Sequence, residues 1–130
     1  MSFTMKEVRE LRTGAYIVID DEPCRIVEMS ISKPGKHGDA KARIVAIGLF
    51  DGQKRSIVAP VKDKVKVPMV DKRQGQVIAI MGDTVQIMDL DTYETLELPI
   101  PDDPEIRERL QPGKEVQYIV SMGKAKITRA

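Results

Sequence analysis

The chain has 130 residues, 42% hydrophobic and 32% charged, with a formal net charge of +1; this fits one ordinary domain or two very small ones and argues against a disordered or membrane-spanning protein. Two phenylalanines, three tyrosines and no tryptophan leave the core to Val, Ile, Leu and Met, and argue against an RNA surface built on aromatic stacking platforms. The single cysteine, Cys24, excludes an internal disulfide or a Cys-rich zinc site, and the start of the chain lacks a signal peptide's basic and apolar segments, so a reduced cytoplasmic setting is expected.

In chain order, period-two patterning dominates. Ala15-Tyr16-Ile17-Val18-Ile19 is a short β-rich run closed by the turn cluster Asp20-Asp21-Glu22-Pro23. Residues 24–31 and 42–47 read as strands, the second ending near Phe50-Asp51-Gly52-Gln53, where Asp-Gly signals a hairpin turn. Val65-Lys66-Val67-Pro68-Met69 alternates, but Pro68 has no N–H for a ladder and marks an edge or a break. Beyond it, residues 76–81 and 84–88 flank Gly82-Asp83 as a tight hairpin, and Leu96, Leu98 and Ile100 alternate with polar positions. One helix is expected after Asp102 or Asp103 as cap, with Pro104 in its first turn, Ile106 and Leu110 on one face, and Pro112-Gly113 ending it. Residues 116–120 and 125–127 complete the strands.

Four to five strands on each side of Pro68 predict an all-β chain of two small barrels rather than one large sheet. Residues 1–68 are expected to form an SH3-like barrel, and residues 69–130 an OB-fold barrel with one short helix. The halves differ in charge: residues 1–68 carry thirteen Lys and Arg against nine Asp and Glu, and residues 69–130 carry eight against eleven. The first half is thus the one suited to approach phosphate.

Between strands 24–31 and 42–47 lies Ser32-Lys33-Pro34-Gly35-Lys36-His37-Gly38-Asp39, longer than a hairpin needs for turning. Pro34-Gly35 favours a turn with proline fixing φ and glycine in the left-handed position. Gly35 and Gly38 bracket Lys36 and His37, so the expected loop projects Lys36 outward. Lys33, Lys41 and Arg43 add positive charge nearby. This is not a phosphate-binding P-loop, because the Gly-x-x-x-x-Gly-Lys-Ser/Thr spacing and the following helix are missing. No metal site is expected at His37, the only histidine, which has no cysteine close in sequence. Cys24 sits in an apolar strand, where a buried structural thiol is the default.

Pro23-Cys24-Arg25-Ile26-Val27-Glu28-Met29-Ser30, followed by Ser32 through Lys41 with its Gly-Lys-His-Gly loop, resembles the signature of translation initiation factor 5A, the archaeal and eukaryotic relative of bacterial elongation factor P. The resemblance spans essentially the whole chain. It implies that Lys36 receives a spermidine-derived aminobutyl group from deoxyhypusine synthase, giving deoxyhypusine or hypusine, and that no other cofactor is bound. It further implies a non-enzymatic factor that binds the ribosome and steadies P-site peptidyl-tRNA so that poor substrates, such as consecutive prolines, still react. Pro34 and Asp39 stand where eukaryotic members commonly have threonine and a second histidine, which points to the archaeal branch and leaves the final form of the arm open. A monomer is expected.

Within that reading the loop residues Ser32, Lys33, Pro34, Gly35, His37, Gly38, Asp39 and Lys41 present Lys36, while Arg43, Lys54 and Arg55 are candidates for contacts to rRNA or tRNA backbone. Two alternatives remain open at this point. One is a general RNA-binding or ribosomal protein using unmodified Lys36. The other is an enzyme using Lys36 as a Schiff-base amine or Cys24 with His37, although an activated lysine needs a desolvated pocket and this loop looks exposed.

Overall fold

The computed structural model describes residues 3–33 and 40–130. The chain divides into two compact units, Met1–Met69 and Val70–Ala130.

In the first unit, β1 (Phe3–Glu7) leads into a short 3-10 helix (Val8–Glu10), followed by β2 (Tyr16–Ile19), β3 (Glu22–Ser32), β4 (Lys41–Gly48), β5 (Lys54–Pro60) and β6 (Lys64–Pro68). Strands β2-β3-β4-β5 form a four-stranded antiparallel sheet in that order, and β1 pairs with β6 in a two-stranded ribbon. The β2–β3 turn is two residues, Asp20 and Asp21, both with positive φ. That left-handed pair matches the twist of the flanking strands, and aspartate tolerates it better than most residues. Val8, Leu11, Ile17, Ile19, Cys24, Ile26, Ala42, Ile44 and Ala46 form the core, with Val65 and Val67 of β6 packed against it. The ribbon and the sheet therefore share one interior, as an SH3-like half-barrel does.

Among the described residues of this unit six strands are present rather than four to five. β1 has three exposed central residues, so it offers little period-two signal, and β5 follows the Asp51-Gly52 turn with a polar start, Lys54-Arg55-Ser56. Pro68 ends β6 opposite Phe3 at the margin of the ribbon, where its missing N–H interrupts no central ladder.

The second unit is a five-stranded antiparallel sheet in the order β11-β10-β7-β8-β9. Its strands are β7 (Asp71–Met81), β8 (Thr84–Asp89), β9 (Thr95–Pro99), β10 (Glu115–Ser121) and β11 (Lys124–Arg129). The outermost strands, β9 and β11, curl back toward each other. Helix α1 (Pro104–Arg109) lies between β9 and β10 in the chain; the Asp103 carboxylate caps it by accepting from the Glu105 N–H at 2.9 Å. Leu110 and Ile106 join the core of Val77, Val85, Ile87, Leu98, Val116, Tyr118 and Ile127. This is the OB-like arrangement that the sequence predicts. No helix among the described residues is long and apolar enough to cross a membrane.

Candidate functional site

The loop that carries Lys36 is the connection of the β3–β4 hairpin. The register sets Ser30 opposite Arg43, Ile31 opposite Ala42 and Ser32 opposite Lys41, and the ladder ends there. Opposed residues in an antiparallel pair share a face, so Ser32 and Lys41 form the base from which the loop departs. The predicted loop residues Pro34, Gly35, Lys36, His37, Gly38 and Asp39 lie outside the described residues. Lys33, on the entry side, is exposed; on the exit side the Ala40 carbonyl accepts the Val61 N–H at 3.0 Å.

The hairpin reaches beyond the core. Ile31 faces the same side as Ala42 yet is 57% exposed, whereas Ala42 and Ile44 are fully buried. A β-bulge lies between Ile26 and Glu28, leaving Val27 without an opposite partner. One inserted residue shifts the alternation, so the hairpin end keeps a consistent face only because β3 carries it.

Registers across β3, β4 and β5 sort the predicted basic residues. Rows Ser32–Lys41–Pro60, Ser30–Arg43–Val58 and Arg25–Ile47–Lys54 lie on the outer face. Lys41, Arg43 and Lys54 thus share one face and are all exposed. Arg25, which the sequence reading did not single out, joins them. Its signal was present in the alternation of Cys24, Arg25 and Ile26.

Arg55 is placed differently. It opposes Ala46 on the inner face, where its guanidinium bonds Asp51 through both carboxylate oxygens at 2.7 and 3.1 Å and lies 3.8 Å from Asp20. Its side chain is 15% exposed. Of the two consecutive candidates for RNA-backbone contacts, Lys54 and Arg55, Arg55 is the one whose guanidinium is engaged with the β4–β5 turn. Arg55, with the Gln53 N–H, holds the Asp51 carboxyl down to about 2, and the carboxylate in turn raises the Arg55 pKa. Gly48 makes the clamp feasible: a Cβ there would stand 2.0 Å from Asp51 Oδ1 and 2.8 Å from Arg55 Nη1.

Cys24 is fully buried and its thiol hydrogen points to the Glu22 carbonyl at 3.4 Å. Burial pushes its pKa up, the wrong direction for a nucleophile at neutral pH.

The second unit has a buried polar centre at Asp89. Arg73 of β7 bonds Asp89 at the end of β8 through two nitrogens, at 2.6 and 3.1 Å, and Tyr118 of β10 donates its hydroxyl to the same carboxylate. Asp89 also accepts the Asp91 and Thr92 N–H groups at 2.8 and 2.9 Å. Hydrogen bonds from Arg73, then Tyr118, hold Asp89 well below the usual carboxylate range, while burial and Asp89 push Tyr118 up to about 12. These bonds occupy both carboxylate oxygens, so the centre ties three strands and a loop together and leaves no acid or base for chemistry.

Residues 2–63 match the family described as translation initiation factor 5A-like, N-terminal, and residues 69–130 the one described as eukaryotic elongation factor 5A hypusine, DNA-binding OB fold. A translation initiation factor 5A of Hyperthermus butylicus is 59% identical over 129 residues, covering 99% of this chain and 95% of that one. Its counterpart in Methanocaldococcus jannaschii is 61% identical over 122 residues, covering 94% and 90%. Among solved structures, the eukaryotic translation initiation factor 5A from Methanococcus jannaschii matches with a TM-score of 0.90 at 57% identity, over 98% of this chain and 94% of that one. An initiation factor 5A family protein from Naegleria fowleri matches with a TM-score of 0.82 at 34% identity, over 99% and 98%.

Proposed function

The chain belongs to the translation initiation factor 5A family, and from that premise we propose that it binds the ribosome and acts through a deoxyhypusine or hypusine arm on Lys36. The arm steadies the P-site peptidyl-tRNA end and promotes peptide-bond formation, above all at stalling sequences such as polyproline. The observation that carries this reading is the β3–β4 hairpin, whose ladder stops at Ser32 and Lys41 and so offers the Lys36 segment from a fixed base. The word hypusine in the description of the family matching residues 69–130 supports the modified form.

An unmodified lysine is a compact hydrated charge on a flexible stem. An aminobutyl extension adds a second amine and reach, so the arm can enter a narrow phosphate-lined cavity that a barrel cannot. Lys41, Arg43 and Lys54, exposed on one sheet face, supply cations for the nucleic-acid backbone beside that cavity. The factor performs no covalent step itself; it holds the peptidyl ester near the attacking amine, an effect of position. Deoxyhypusine synthase is the modifying partner, and the setting is the cytoplasm.

Intact-mass measurement of the factor from its native host is the test, paired with peptide-bond formation on a polyproline template. An added aminobutyl mass on the Lys36 peptide, and loss of stimulation in Lys36→Ala, are expected. Native factor with an unmodified Lys36, or full activity of the variant, would refute the arm mechanism.

A further inference from the structure

Three backbone hydrogen bonds connect the buried start of the first unit to the exit of the Lys36 loop. The Val8 N–H donates to the Asp63 carbonyl at 2.8 Å, the Arg9 N–H to the Val61 carbonyl at 3.0 Å, and the Val61 N–H to the Ala40 carbonyl at 3.0 Å. The first link is anchored by Val8, fully buried, with Leu11 beside it in the core. The turn in the middle is closed by the Asp63 N–H on the Pro60 carbonyl at 3.0 Å.

Pro60 explains why this turn exists. It stands opposite Lys41 at the last register position of the β4–β5 ladder, and proline has no N–H with which to extend pairing toward the loop. Val61 supplies that N–H one residue later and engages Ala40. The exit of the loop is therefore gripped from both neighbours, Ser32 of β3 on one side and the Pro60–Val61 step on the other. The entry, at Ser32, is paired on the β4 side alone, since β2 reaches only as far as Arg25 along β3.

We infer that Val61 is a positioning residue for the segment that carries Lys36: through its N–H, the Pro60–Asp63 turn fixes Ala40, the first described residue after that segment, and with it the base from which the proposed arm works. This rests on the function proposed above. A reaction that depends on placing one group within a cavity loses rate when the support shifts by an ångström, whereas docking of the barrel face does not need that precision.

The test compares full-length wild type, Val61→Ala and Val61→Pro, each carrying the modified lysine. Alanine keeps the N–H and proline removes it. Relative to wild type, Val61→Pro is expected to lower the maximal rate of stimulated peptide-bond formation about tenfold or more, with the half-saturating concentration within about twofold, and Val61→Ala is expected to retain the rate. Independently of any ribosomal assay, trypsin cleavage after Lys41 should be about tenfold faster in Val61→Pro alone, because an exit strand released from its brace opens locally. Arg9→Pro removes the next bond up the chain and serves if Val61→Pro does not fold; it should show the same two changes in weaker form. Equal cleavage in all variants, or equal loss of rate in Val61→Ala and Val61→Pro, overturns the brace. An inactive wild type overturns the functional reading instead, and the cleavage ratios still decide the brace.

Discussion

Lys54 and Arg55 are consecutive on β5 but serve opposite faces of the sheet: Lys54 opposes Ile47 on the exposed side, and Arg55 opposes Ala46 on the inner side, bonded to Asp51. Two adjacent cations therefore have separable consequences. Lys54→Ala should leave the unfolding midpoint unchanged, weaken ribosome binding and make its salt dependence shallower by about one counterion. Arg55→Ala should lower the midpoint, because Asp51 loses its partner at the β4–β5 turn, while the salt dependence stays as in wild type. A calorimetric scan and a binding titration at several salt concentrations check both. Identical behaviour of the two variants would contradict the sorting of faces.

Gly48 gives a sharper probe of the same clamp. Its φ is not in the left-handed region, so alanine is allowed by the backbone. The obstacle is space, since the added Cβ meets the Asp51 carboxylate and the Arg55 guanidinium. Gly48→Ala should therefore cost about 1–3 kcal/mol, the usual scale of overpacking, and most of that loss should vanish in an Asp51→Ala background. Denaturant unfolding of the single and double variants measures the coupling.

These contacts mark where sequence reasoning stops. The β3–β4 and β7–β8 hairpins were legible because apolar residues alternate on both strands around turn residues. The capped helix at Asp103-Pro104 was legible because its signals are local. Strand β1 was not, since Phe3–Glu7 is mostly exposed and gains its place by pairing with β6, some sixty residues on. The Arg55 clamp escaped because a basic residue after a turn reads the same whether it faces solvent or a carboxylate. Arg73, Asp89 and Tyr118 lie 16 and 29 residues from one another in the two bonds that join them, and only strand register brings them together.

The carboxylates in these clusters set the acid limb of stability. The Asp51 pKa is lowered from an ordinary 3.8 to about 2, and that of Asp89 is lowered further. A carboxyl with a depressed folded-state pKa contributes stability that is present above about pH 4 and lost as pH falls through the folded value. The midpoint should pass from a plateau near neutral pH to a decline beginning below about pH 4, and Asp51→Asn should flatten the part of it between about pH 4 and pH 2. Tyr118 has the opposite sign. Its pKa is raised to about 12, so the stability it contributes is full below about pH 10 and lost as pH rises through the folded value. Tyr118→Phe should cost about 1.5–3 kcal/mol at pH 7, as for a hydrogen bond to a charged group, and should remove part of the alkaline decline. Thermal scans from pH 2 to 12 of wild type and both variants test each limb.

Lys36→Arg separates charge from arm. Arginine retains a permanent positive charge on a side chain of comparable length, but its guanidinium is not the primary amine that takes an aminobutyl group. If a cation at position 36 were sufficient, this variant would keep most of the activity. Under the arm mechanism it behaves as Lys36→Ala does, with folding altered by no more than about 0.5 kcal/mol and stimulation of peptide-bond formation lost. Ribosome affinity should separate the two, since arginine at this position preserves one counterion-releasing contact that alanine removes. Stimulation at wild-type level by Lys36→Arg would show that charge at the loop is the working group, and that the extension is dispensable.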